Sequence, residues 1–241
     1  MSVLRDVALT LRPAPGDPRG PLVPMLVALT FLTGLVDAVS YLMLGHVFVA
    51  NMTGNVVFLG FALAGASGLS APASLLALGA FLLGALGGGW LGSRQAHRGR
   101  LLRAANITQA TLILLALIVA LLAPEPLREG DRYALIVVLA LAMGVQNAAA
   151  QRLAVPELTT TVLTRTLTGI ASEARFLGGA GSKAGRRGVA VAMMLLGALA
   201  GALLGLHVSV AAALALALAL SAGVGLAAHA VSGSSAAWTH D

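Results

Sequence analysis

The chain of 241 residues contains no cysteine, which removes disulfides, thiolate metal sites, iron–sulfur clusters and cysteine nucleophiles from consideration. It is also poor in charge: Asp, Glu, Lys and Arg make up 10% of it, against about 25% in a soluble domain. With 58% hydrophobic residues and a mean hydropathy of +0.92, a fold in water would have too little polar surface to cover its exterior. A soluble globular protein is excluded, and an integral membrane protein remains. Aromatic residues are scarce as well, at 4%. A transmembrane barrel needs alternating strands of about ten residues with aromatic girdles, whereas the apolar runs here are continuous and rich in Ala, Leu and Gly. The spans are therefore helices.

The charge that is present leans one way, to a formal net value of +6. Its basic residues fall between apolar runs: Arg5, Arg12 and Arg19 before the first, Arg94, Arg98, Arg100 and Arg103 in one loop, Arg175, Lys183, Arg186 and Arg187 in another. That distribution follows the positive-inside rule of membrane proteins and does not build a nucleic-acid groove, so no nucleic-acid partner is expected. The Pro-rich, basic residues 1–23 lack the order of charge, apolar core and cleavage site that marks a signal peptide, and read as a cytoplasmic arm.

Eight apolar runs follow: Pro24–Leu44, Val47–Ala66, Pro72–Leu91, Ala104–Ala123, Tyr133–Ala150, Thr159–Ser172, Gly188–Leu206 and Val208–Val231. A crossing takes about 20 helical residues. If all eight crossed, the Arg94–Arg103 loop and the nearly neutral Glu125–Arg132 loop would lie on the wrong sides for the charge rule. The conflict vanishes if Val47–Ala66 and Thr159–Ser172 enter the membrane without crossing it. Six spans remain, with the N- and C-termini and both basic loops cytoplasmic. The sixth run is in any case short, polar and interrupted by Arg165, a poor face for lipid.

The two halves resemble each other. Gly34, Asp37 and Ala38 match Gly144, Asn147 and Ala148 at an offset of 110, Thr53 matches Thr164 at 111, and Gly84, Gly88 and Gly92 match Gly197, Gly201 and Gly205 at 113. Residues 24–123 and 133–231 thus read as two membrane repeats, with 232–241 as a tail. Three crossings per repeat invert the second copy relative to the first, an arrangement that in transporters places the ligand near the midplane. The β-branched, polar stretches His46–Asn51 and Val155–Val162 predict extended approaches, each followed by a half-helix starting near Thr53 or Thr164. Exposed amides at such helix starts favour an anion or carboxylate.

The segment VDAVSYLMLGHVFVANMTGN at Val36–Asn55 resembles the YoaK family of bacterial membrane proteins, whose function is unknown, and so do GVQNAAAQRL at Gly144–Leu153 and TTTVLTRTLTG at Thr159–Gly169. Arg165 departs from the family pattern, which has glycine there. The resemblance implies a multi-helix inner-membrane protein and supplies no substrate. The layout of approach plus half-helix in inverted halves is similar, by fold analogy alone, to a reduced sulfate or nucleobase permease.

Asp37, inside an apolar run, costs about 3 kcal/mol if it faces lipid and so must face the interior. It reads either as a proton-coupling or substrate-orienting carboxylate, or as a structural one that caps a half-helix or pairs with Arg165. Tyr41 shares its helix face, and Asn147 repeats it in the second half. Asn51, Thr53, Gly54 and Asn55, with Thr161, Thr164, Arg165 and Thr166, offer hydroxyls, amides and a cation at the two half-helix mouths. These residues are the expected substrate contacts. The Gly-x-x-x-Gly rows in the third and seventh runs permit close helix packing, within the chain or in a homo-oligomer. No Ser–His–Asp set, H-E-x-x-H or P-loop pattern occurs, so no enzymatic activity, cofactor or metal is expected, His46 and His207 included. The sequence therefore predicts an all-α membrane protein of six spans and two re-entrant half-helices. Its expected role is a secondary permease for a small polar, anionic solute, with a channel or a non-transporting sensor or assembly factor as the alternatives.

Overall fold

The computed structural model of the chain describes residues 3–14, 16–17, 19–155, 163–172 and 184–239. Among them every regular element is helical: α1 (Val3–Leu11), α2 (Leu22–Met43), α3 (Met52–Leu63), α4 (Ala71–Arg94), α5 (Arg98–Leu122), α6 (Glu129–Leu153), α7 (Leu163–Ser172), α8 (Ala184–His207) and α9 (Val210–Val231), followed by a 3-10 turn at Ala237–Thr239. Six of these, α2, α4, α5, α6, α8 and α9, are long and apolar enough to cross a bilayer. At 1.5 Å per residue the 22 residues of α2 reach about 33 Å, whereas the 12 of α3 reach about 18 Å, short of the about 30 Å of hydrocarbon.

Local chemistry sets the ends. The Ser70 hydroxyl accepts from the Ala73 amide to open α4, with Pro72 in the first turn, and Ser209 does the same for α9 through Ala212. The His97 Nδ1 accepts from the amides of Gly99 and Arg100 and starts α5. The arm read from the sequence holds a helix: α1 packs on α8, where Asp6 accepts from the amides of Gly185 and Arg186, at 2.9 and 3.3 Å, in that helix's first turn. The C-terminal segment is tied back as well, with His97 Nε2 2.9 Å from the Ser234 carbonyl and Trp238 buried under Gly20.

Two helices, α2 and α6, form the buried centre, and the other four spans turn much of their apolar surface outward, where lipid replaces water. Exposed Leu82, Leu83, Leu86, Leu121 and Leu122 belong to that outer face. The glycine rows lie inside. A Cβ on Gly84 would run into the backbone of Leu141, and one on Gly88 into that of Val145, so α4 and α6 touch backbone to backbone. Likewise Gly197 meets Phe31 and Gly201 meets Leu35, which joins α8 to α2. The rows are thus used within the chain, one of the two packings the sequence left open.

The contacts repeat with the sequence. Gly34 is pressed by the Met194 carbonyl and the Ala198 amide, and Gly144 by the Phe81 carbonyl and the Ala85 amide. Phe81 to Met194 and Ala85 to Ala198 are both steps of 113, while Phe31 to Leu141 and Leu35 to Val145 are both steps of 110. In each pair the contact numbers rise together, so α2 runs parallel to α8 and α4 parallel to α6. By contrast Arg103 lies beside His229 and Gln109 beside Ser221, so α5 and α9 are antiparallel.

Candidate functional site

After α2 the chain reverses at Gly45 and His46, both at positive φ (+120° and +57°), the first a value that glycine alone adopts without steric cost. Residues 46–51 then run without regular structure to the start of α3. What holds this segment is Asp37, a side chain only 3% exposed. Its Oδ1 accepts from the amides of Val49 and Ala50 at 2.9 and 2.8 Å, and its Oδ2 accepts from the side-chain amide of Asn51. Asp37 lies six residues before the end of α2, so these bonds hold the loop about 9 Å back along that helix. A carboxylate in this position satisfies the two buried amides of Val49 and Ala50, which would otherwise be orphaned, and ties down the half-buried Asn51.

Asn55 completes the clasp. Fully buried, it accepts from the Phe48 amide through Oδ1 at 2.8 Å and donates to the Phe48 carbonyl through Nδ2 at 2.6 Å. On the loop's outer side Tyr41 stacks on Phe48 with centroids 5.2 Å apart, and Phe58 closes the group at 5.7 Å from Phe48. Gly54 allows a close approach, as the sequence suggested, but what approaches is the Phe48 ring, 2.6 Å from where a Cβ would stand. Thr53 is exposed.

The structure therefore brings Asp37, Tyr41, Asn51, Gly54 and Asn55 together and leaves the Thr53 hydroxyl outside the cluster. In the second half Asn147 donates from Nδ2 to the Met143 carbonyl at 2.9 Å, a bond within its own helix. Thr166 is buried and Thr164 exposed on α7, which packs on α8 as α3 packs on α4. Thr161, the Val155–Val162 approach beyond Val155, and the side chain of Arg165 lie outside the described residues, and with them the pairing of Asp37 with Arg165.

A second polar cluster has no counterpart in the sequence reading. Gln146 of α6 donates to Thr33 Oγ1 of α2 at 2.9 Å and accepts from Gln109 of α5, whose own Oε1 accepts from Ser221 of α9 at 3.4 Å. All four residues are at most 3% exposed. Thr33, Gln109 and Ser221 each stand at the middle of their spans, and every one of the three bonds links the first half of the chain to the second. The signal available in sequence was the presence of amide side chains inside otherwise apolar runs. Among the described residues no group of three or more His, Asp or Glu could hold a metal ion.

Residues 25–227 match the family described as "Protein of unknown function (DUF1275)". The UPF0700 transmembrane protein YoaK of Bacillus subtilis (strain 168) is 34% identical over 145 residues, which cover 59% of this chain and 63% of that relative, less than two thirds of its length. No solved structure matches.

Proposed function

The chain belongs to the DUF1275 family of membrane proteins of unknown function, and we propose that it is a secondary permease for a small polar, anionic solute, built from two inverted repeats. The observation that carries this reading is the pairing of contacts at fixed steps of 110 and 113, by which α2 lies on α8 as α6 lies on α4. Two halves that lean more on each other than on themselves are arranged to rock about their shared interface, which is how inverted-repeat carriers alternate access.

The helix directions support the inversion. With α2 parallel to α8, α4 parallel to α6 and α5 antiparallel to α9, the ends of α2 and the start of α4 fall on one side, so α3 leaves and returns on the same side. Its length of about 18 Å and the hold of Asp37 on residues 49–51 fit a re-entrant element. Applying the charge rule then puts the Arg94–Arg103 end, both termini and the basic residues before α8 in the cytoplasm of a bacterial inner membrane.

In this reading Asp37 positions the start of α3, its Oδ1 taking the amides of Val49 and Ala50 and its Oδ2 the Asn51 side-chain amide. Solute contacts fall to Thr53, Thr164 and Thr166, and the cluster of Thr33, Gln146, Gln109 and Ser221 closes the path between the halves at mid-membrane. The absence of native cysteine makes the test clean. Proteoliposomes holding Thr33→Cys with Gln146→Cys are assayed for uptake of radiolabelled phosphate, sulfate and short-chain carboxylates. Saturable uptake of one of them, lost on oxidation and regained on reduction, is expected. Uptake of none by the wild type, or uptake indifferent to the cross-link, contradicts the proposal.

A further inference from the structure

A groove of about 610 Å³ lies between α5 and α9, and it is bounded by Arg103 and His229 at one end and by Leu114 and Leu218 at the other. The 11 residues from Arg103 to Leu114 span about 16 Å, half the about 30 Å of hydrocarbon and so the depth of one leaflet. Its walls are mostly apolar, from Ile107 and Ala110 on α5 to Ala222 and Leu226 on α9, with Thr111 and Ser221 among them. The mouth is cationic. Arg103 Nη1 stands 3.1 Å from His229 Nδ1, which occupies one of the five donors of the guanidinium.

The polar floor is incomplete. Asn106 is 1% exposed and lines the groove, and its Nδ2 donates to the Leu102 carbonyl. Its Oδ1 is buried without a hydrogen-bond partner among the described residues. A buried acceptor left open is costly and calls for a donor. Asn106 lies three residues inward of Arg103, about 4.5 Å deeper.

We propose that this groove binds an anionic lysophospholipid: the phosphate on Arg103 and His229, the free glycerol hydroxyl donated to Asn106 Oδ1, and the single acyl chain along Ile107, Ala110, Leu218 and Leu226. Each part of the ligand answers one feature. The basic mouth beside a membrane helix suits a lipid phosphate. The volume is that of a small-ligand cavity and takes one chain at the depth of one leaflet. Just inward of its phosphate a lysophospholipid carries a hydroxyl, whereas a diacyl lipid carries an ester carbonyl there, which would set acceptor against acceptor. The proposal does not depend on the permease reading, although Ser221 of the mid-membrane cluster lines the same groove.

The test uses the purified full chain in detergent and measures binding of 1-oleoyl lysophosphatidic acid, its 2-deoxy analogue and dioleoyl phosphatidic acid. The wild type is expected to bind the first at least tenfold more tightly than either of the others. Arg103→Gln should weaken it tenfold or more, and Asn106→Leu should bring the hydroxylated lipid and the deoxy analogue within twofold of each other. Ala222→Phe, which fills the groove, should abolish binding, with an unchanged melting temperature in the absence of lipid as the folding control. Equal binding of the hydroxylated and deoxy lipids by the wild type overturns the assignment, whatever the variants do. So does diacyl lipid binding as tightly as the lyso form, or undiminished binding by Arg103→Gln.

Discussion

A single carboxylate organises the first half of the molecule. Asp37 takes two buried amides and one side-chain amide of the loop before α3, and hydrogen bonds to a charged group contribute about 1.5–3 kcal/mol each. Asp37→Asn replaces one acceptor oxygen by an NH₂ facing the Asn51 NH₂, so a loss of about 3 kcal/mol is expected in denaturant unfolding in detergent. Asn51→Ala, which removes one partner, should cost about 1 kcal/mol. Equal stability of Asp37→Asn and wild type would mean that the clasp does not hold α3. The buried position of Asp37 was legible in the sequence, because a carboxylate in an apolar run must find partners, and capping was one of the two structural roles open to it. The glutamine cluster was not legible: its bonded partners are 113, 37 and 112 residues apart, and no single amide in a long run declares where it points. Buried polar pairs between membrane helices average about 0.6 kcal/mol. Gln146→Leu should therefore destabilise by about 1 kcal/mol, and adding Gln109→Leu should cost less than the sum of the single changes, as a double-mutant cycle in detergent would show.

Helices as units follow the apolar runs closely where hydropathy alone decides and depart from them at the ends. The run ending at Leu44 corresponds to α2, and the run at Val208–Val231 to α9. The run starting at Ala104 misses the first turns of α5, which begins at Arg98, because long cationic side chains let a helix continue into the interface where apolar composition has already stopped. The helix start expected near Thr53 falls at Met52. The glycine rows were legible as close-packing faces, but which helix they face depends on tertiary geometry. They make a sharp prediction. Gly84→Leu and Gly197→Leu force side chains into the backbones of Leu141 and Phe31, while Gly87→Leu meets open space. Overpacking costs about 1–3 kcal/mol or more, so the first two should lower the melting temperature by similar amounts and the third should leave it within error. A fall for Gly87→Leu matching the other two would argue against these interfaces.

For the whole molecule the central claim is that α3 and α7 do not cross, so that two halves of three crossings each face opposite ways. The claim rests on directions fixed by contact, α2 with α8 and α4 with α6, and on the clustering of arginine at one end. Composition and charge made the membrane class and the six spans legible, since they depend on sums over many residues. The mutual crossing of the halves was visible only as a faint glycine repeat, whose meaning needed the packing. Labelling of single cysteines by a membrane-impermeant reagent tests the claim most directly. Ala96→Cys, Gly130→Cys and Gly188→Cys occupy exposed positions at the α4–α5 turn, the start of α6 and the start of α8, in a chain with no cysteine of its own. Positions 96 and 188 should label from the cytoplasmic side and 130 from the opposite side; labelling of 96 and 188 from opposite sides would contradict both the re-entrant α7 and the inverted repeat.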